Sequence, residues 1–262
     1  MARQLVVNAD DFGYTHDVNA GIVEAHQRGI LTATTLMAEG DAFDDAVQLA
    51  RENPDLDVGV HLVLVGMPGL PPTLAECVLA VYAGKIDIYK VLSAQIQKII
   101  SAGIWPTHMD THKHTHLLPP VQRVMCNLAD EFRIRWIRTP ADLPVNFNAP
   151  LAKTLLSLVM RRSMISFRQR LCEHECRSTD HFAGFALTGR YTEKDLVKLF
   201  AALPAGLTEF MCHPGHCTDE LRRRTDTRLR ESRAEELRAL THPATRAALK
   251  DQGIELVRYR DL

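Results

Sequence analysis

Leu5-Val6-Val7 reads as a strand that ends in Asn8-Ala9-Asp10-Asp11-Phe12-Gly13. A helical pattern follows from about Asp17 to Arg28, with Val18, Ile22, Val23 and Ala25 turned toward a core. The order then repeats. Ala33 to Met37 reads as a strand before a helix from about Asp41 to Glu52, and Asp57 to Val65 as a third strand. After the Pro/Gly-rich loop Gly66 to Pro72, helices cover roughly Leu74 to Ala102. Helix Pro120 to Phe132, strand Trp136 to Arg138, a helical stretch from about Pro150 to Leu171, strand Leu207 to Cys212 and a closing strand Ile254 to Tyr259 complete the series. This alternation predicts an α/β fold over 1–262 as one domain, a parallel sheet with right-handed crossovers, closed as a barrel or left open.

Thr107-His108-Met109-Asp110-Thr111-His112-Lys113-His114, with His116 two places on, gathers four of the chain's 12 histidines and a carboxylate. In an extended segment side chains alternate faces, so His108, Asp110, His112, His114 and His116 fall together. A solvated, histidine-rich turn is the plain alternative, but a period of two over five polar positions points to a metal or acid/base site. Parallel α/β folds place chemistry at the carboxyl ends of their strands. Asp10 and Asp11, His61, the histidine row and His213 all fall at such ends. Alone, His61 reads as a hydrogen-bonded core histidine and an aspartate after strand one as a helix cap; the coincidence of four segments favours a site. Two consecutive carboxylates can serve one centre in two roles, one bound to a cation and the other reaching a water beside it.

Composition removes other classes. With 46% hydrophobic and 24% charged residues the chain is that of an ordinary globular protein. A net charge of -1 and a pI near 6.9 give no field to draw nucleic acid. The seven arginines between Leu221 and Arg238 are interleaved with Asp226, Glu231, Glu235 and Glu236, which reads as a solvated, salt-bridged face. No apolar run approaches the roughly 20 residues needed to cross a bilayer, and no leader pattern opens the sequence. The six scattered cysteines are read as reduced thiols, so a cytoplasmic location is expected. Cys172 and Cys176 with His174 could hold zinc, though ordinary thiols are the preferred reading; Cys212 is read as a small buried apolar group. The stretch Leu151 to Arg170 is read as a packed helix with a basic end, with contact to a membrane surface or a partner left open, as is a homodimer.

Asn8-Ala9-Asp10-Asp11-Phe12-Gly13, Gly59-Val60-His61-Leu62, the histidine segment and Cys212-His213-Pro214-Gly215, in this order, resemble the motifs of the YdjC-like (ChbG/HpnK) carbohydrate deacetylases. The likeness extends to Asn19 through Ala25, Gly29 through Thr35 and the helix Arg230 to Leu240, nearly the whole chain. The resemblance implies a distorted (β/α) barrel of the polysaccharide-deacetylase type. It also implies that Asp11, His61 and His112 bind one divalent cation, Mg²⁺ or Zn²⁺ with Mn²⁺ or Co²⁺ as options, while Asp10 acts as general base. Two imidazoles and one carboxylate leave positions open on such an ion. His213 is the candidate acid for the leaving amine. Asp110 and His114 are expected to orient ligands or contact sugar hydroxyls, and Arg138 and Asp180 to bind substrate, a structural salt bridge being the alternative for each of the latter two. The implied reaction removes an N-acetyl group from an N-acetylglucosamine-type sugar, first a chitooligosaccharide such as diacetylchitobiose and second a lipid-linked amino sugar. A metal phosphoesterase and a non-catalytic sugar- or metal-binding protein are the competing readings.

Overall fold

Parallel pairing runs through the whole sheet. The computed structural model describes residues 2–143 and 163–262. Strand β1 (Arg3–Phe12) leads through α1 (His16–Arg28) to β2 (Ala33–Leu36), α2 (Phe43–Glu52) and β3 (Asp57–Leu62). Two helices, α3 (Leu74–Tyr82) and α4 (Ile88–Ser101), precede β4 (His108–Thr111), and α5 (Pro119–Phe132) leads to β5 (Trp136–Ile137). The expected helix Pro150–Leu171 lies partly outside the described residues; positions 163–173 (α6) are helical. Then come β6 (His181–Ala183), α7 (Glu193–Ala201), β7 (Gly206–Cys212), the short α8 (Asp219–Arg222), α9 (Glu231–Thr241), α10 (Pro243–Asp251) and β8 (Ile254–Leu256). Strand order is β5-β4-β3-β2-β1-β7-β6, with β8 beside the start of β1. Isolated parallel bridges, Trp136 with Arg177 and Asp142 with Phe182, draw the two edges toward each other. The result is the expected distorted (β/α) barrel.

The ends of several elements differ from expectation for local reasons. Strand β1 runs on to Phe12 because it pairs on both sides, with β7 as far as Ala9 and with β2 up to Phe12. Between Ala9 and Phe12 it carries one residue more than β2 opposite, a bulge in which Asp11 adopts φ 71°. Neighbouring strand residues normally face opposite ways; the bulge turns both Asp10 and Asp11 to the cavity. The histidine row is corrected outright. Extension stops at Thr111, and His112–Leu117 forms a 3₁₀ turn with Lys113 and His114 left-handed at φ 52°. Five side chains therefore do not share one strand face. The short strand β6, with α7 after it, was not anticipated, and β8 stops at Leu256 before a 3₁₀ turn holding Tyr259.

Close backbone approach fixes α1 against the strand ends. Thr15 caps the helix, its hydroxyl accepting from the Val18 N–H at 3.2 Å. One turn on, a Cβ on Gly21 would lie 2.4 Å from the Gly215 Cα, a distance no side chain tolerates. The Cys212-His213-Pro214-Gly215 turn thus rests directly on the helix. Among the described residues no helix is long and apolar enough to cross a membrane. Gly21→Ala is expected to lower stability by about 1–3 kcal/mol, the range for overpacking, seen as an earlier denaturant midpoint; an unchanged midpoint would show that the contact yields freely.

Candidate metal centre and active site

Asp11, His61 and His112 meet at one point. The Asp11 Oδ1 lies 3.4 Å from His61 Nε2 and 3.2 Å from His112 Nδ1, and the two nitrogens are 3.3 Å apart. A triangle with sides of about 3.3 Å has its centre roughly 1.9 Å from each corner. An ion slightly off that plane would meet all three at the roughly 2.0–2.2 Å typical of such ligands. Asp11 Oδ1 is buried and has no hydrogen-bond partner, which is the orphan a cation would satisfy. The donor set fits the expected divalent ion.

His61 is oriented from behind. Its Nδ1 lies 2.6 Å from Asp110 Oδ1, the carboxylate–histidine arrangement that leaves Nε2 for an ion. Burial alone would pull the imidazole down, but the Asp110 and Asp11 carboxylates lift it to about 10. Asp110 is also held by the Thr35 hydroxyl at 3.3 Å and by Arg138 at 2.6 Å. It is wholly buried behind His61 and does not line the cavity, so the expected contact with sugar hydroxyls is closed to it.

Arg138 is corrected in the same way. Its guanidinium binds both Asp10 oxygens at 2.7 and 2.8 Å, Asp110 Oδ2, and Glu209 Oε1 at 2.8 Å, and it lies outside the cavity lining. Every donor direction is committed to a buried carboxyl group, leaving none for substrate. A second grouping of potential ligands, Asp10, His61 and Asp110, is filled by this guanidinium rather than left for an ion. Asp10 stays beside the first grouping as a separate carboxylate. Burial raises its pKa, outweighing the opposing pull of Arg138, whereas Asp11 is held well below the usual carboxylate range because Arg233 and the two imidazoles overcome burial.

The cavity has a volume of about 600 Å³ and takes in Asp10, Asp11, His61, His112, His114 and His213 together. His213 Nε2 is 3.8 Å from Asp10 Oδ2, and burial holds its imidazole down at about 4. His114 packs against Phe182 and Phe185 at the cavity wall. The remaining histidines stand elsewhere. His108 stacks on Tyr259 with ring centroids 4.2 Å apart, and His116 lies 2.6 Å from the Thr111 hydroxyl. Asp180 is at the opposite end of the sheet, its Oδ2 accepting from the Leu207 N–H at 2.9 Å where β7 begins, so it is no part of this cluster. Cys172 is exposed while Cys176 is buried, and His174 bonds Asp130, so no zinc grouping forms there among the described residues.

Three participants escaped the sequence reading. Glu209 stands inside the buried strand β7, where an acid among Leu207, Phe210 and Met211 needs a partner. Arg233 and Glu236 lie on α9 and are each 1% exposed. Arg233 Nη2 donates to Asp11 Oδ2 at 2.5 Å, and Glu236 accepts from the backbone N–H groups of His213 and Gly189, both at 2.6 Å. Helical spacing carried the signal: Leu229, Arg233 and Leu237 repeat every fourth residue, and Glu236 sits with Leu240 on the same buried stripe.

Two outcomes follow from these contacts. Arg138→Met would strand three buried carboxyl groups and cost about 3–5 kcal/mol, as removing one partner of a buried ion pair does; denaturant unfolding measures it, and a loss under roughly 1 kcal/mol would mean that the carboxylates find other partners. The second concerns pH. Because His61 titrates at about 10 without an ion, it is protonated near neutrality, and an ion must displace that proton. Affinity should therefore rise with pH, by up to about tenfold per unit, until the pH passes that value. Calorimetry in buffers of different ionisation heat should show about one proton released per ion; binding without release would contradict the His61–Asp110 account.

The sequence profile of the YdjC-like proteins matches residues 4–251. A carbohydrate deacetylase from Geobacillus stearothermophilus is 33% identical over 276 residues, covering 100% of this chain and 98% of its own. A chitooligosaccharide deacetylase from Klebsiella pneumoniae (strain 342) is 31% identical and covers both chains completely, 100% of each. Among solved structures, a proposed cellobiose-phosphate cleavage protein from Enterococcus faecalis V583 superposes with a TM-score of 0.78 at 24% identity, covering 100% of this chain and 99% of that one, which supports the shared fold. With its four motifs gathered at one end of the barrel and the profile spanning nearly its whole length, the chain belongs to the YdjC-like family.

Proposed function

We propose that this protein hydrolyses the N-acetyl amide of an N-acetylglucosamine-type sugar, releasing acetate and a free amine, with one divalent ion held by Asp11, His61 and His112. The observation that carries the reading is Asp10: a second buried carboxylate in the same cavity, kept out of the ligand triangle by Arg138 and so left for proton transfer. A pure binding protein has no use for that second carboxylate, and a two-ion phosphoesterase would need the neighbouring carboxyl groups that Arg138 occupies. Relatives named carbohydrate deacetylase and chitooligosaccharide deacetylase support the sugar amide as substrate class. Chitooligosaccharides such as diacetylchitobiose are the first candidates, and a lipid-linked amino sugar the second.

A bound Mg²⁺ or Zn²⁺, or Mn²⁺ or Co²⁺ in their place, would polarise the amide carbonyl and acidify water. The chain's own groups handle the protons. Asp10 accepts the proton of the attacking water as its oxygen bonds to the acetyl carbon, and Arg138 holds both carboxylate oxygens in place meanwhile. His213, 3.8 Å from Asp10 and held neutral by burial, takes that proton over from Asp10 and delivers it to the sugar nitrogen as the C–N bond breaks. Glu236, accepting from the His213 backbone N–H, anchors the turn that carries this imidazole. Met67, Leu74, Leu117 and Phe185 give the cavity apolar walls suited to the C–H faces of a sugar ring.

Asp10→Asn is expected to retain metal binding while acetate release from diacetylchitobiose falls by about 10²- to 10⁴-fold, the usual range for a general base. Chelation and readdition of single metals, followed by acetate measurement, runs alongside. Wild-type turnover by the asparagine variant would remove Asp10 from the mechanism, and full activity after chelation would remove the ion.

A further inference from the structure

An arginine is an unexpected neighbour for a cation site, since its charge repels the ion. Yet Arg233 is buried at 1% exposure directly against Asp11, more than 200 positions away in sequence. Its Nε donates to the Leu229 carbonyl at 3.2 Å and its Nη2 to Asp11 Oδ2 at 2.5 Å. Its aliphatic stem packs on Gly215, where an added Cβ would come within 3.3 Å of it, so the side chain has one seat. The consequence is on the other oxygen: Asp11 Oδ1 alone remains to face His61 and His112.

We propose that Arg233 is a positioning residue that keeps Asp11 a one-oxygen ligand, sacrificing cation affinity to keep coordination positions open for the substrate amide and water. The inference rests on the metal-dependent reading above and deepens it. A carboxylate free to turn can close both oxygens on one ion, filling a place that water or a carbonyl oxygen would take. With Oδ2 bound to a guanidinium, that second bond is blocked. The guanidinium also offsets the Asp11 charge, so the ligand set stays close to neutral and leaves the ion's positive charge available to polarise an amide.

The two effects have opposite signs in the absence of Arg233, which makes them separable. In Arg233→Met the repulsion disappears and Asp11 can use both oxygens, so the Zn²⁺ dissociation constant, titrated by calorimetry on the full chain, is expected to stay equal or fall. At saturating Zn²⁺, kcat for acetate release from diacetylchitobiose is expected to drop about 10- to 100-fold, the size typical of a residue that orients a ligand. Arg233→Lys, which keeps the charge but loses the Nε bond to the Leu229 carbonyl that seats the side chain, should bind Zn²⁺ as wild type does and show an intermediate kcat. It also serves if the methionine variant does not fold, which a thermal melt will tell. Loss of Zn²⁺ affinity in parallel with kcat would overturn the proposal and make Arg233 an ordinary structural support; an unchanged kcat would overturn it as well. A wild-type chain that binds no divalent ion would instead bring down the metal-dependent reading itself.

Discussion

Three strands meet at the carboxyl end of this barrel on one buried guanidinium. Arg138, the residue after β5, reaches Asp10 on β1, Asp110 on β4 and Glu209 on β7, and so ties three strands at the level of the cavity. None of these carboxyl groups is solvated, and a buried charge without a partner is among the costliest defects a protein can carry. The guanidinium satisfies them jointly because its planar fork offers five N–H donors, a task a lysine's single point charge does not match. The site is built as a network in which the ligand-orienting acid and the candidate base share one cation.

That sharing divides two chemically identical neighbours. Asp10 and Asp11 are adjacent in sequence, equally buried, and turned to the same cavity by the β1 bulge. They differ in company. Asp11 sits among two imidazoles and a guanidinium, which suits a carboxylate that stays ionised as a ligand. At Asp10 burial, helped by Asp110 close by, outweighs the pull of Arg138, and the affinity for a proton goes up instead. Environment, not residue type, sets the two apart.

Much of this was legible in the sequence, and the limits have physical causes. The apolar run from Leu5, the helical period after Asp17 and the return of that pattern were enough for a parallel α/β barrel, because each depends on local periodicity. The convergence of Asp10, Asp11, His61, His112 and His213 was legible too, since strand ends share one rim in such folds. Extension of the histidine row beyond Thr111 failed because two left-handed residues, Lys113 and His114, break the period where no glycine warns of it. For Arg138 and Asp180 the sequence leaves substrate binding and a structural salt bridge open alike, and only the pairing of strands shows that one lies beneath the cavity, salt-bridged, and the other at the far rim. Arg233 was hidden by its neighbourhood: six further arginines between Leu221 and Arg238 make a solvated face the natural reading, and one member of the series is turned inward.

The strand carrying both aspartates also sets an order of assembly. β1 precedes its partners in the chain by a long way: on one side, β7 and then the α9 arginine lie about 200 positions later, and Gln4 bonds Glu255 across a separation of 251 residues. Contacts so distant are slow to form, and synthesis at roughly 5–20 residues per second delays them further. For roughly 6–25 s of synthesis, then, the acidic tip of β1 has neither Arg138 nor Arg233 to answer it. The rim carrying the two aspartates is thus completed only by the later half of the chain, against strands β1 to β4, which follow one another in sequence and pair in order.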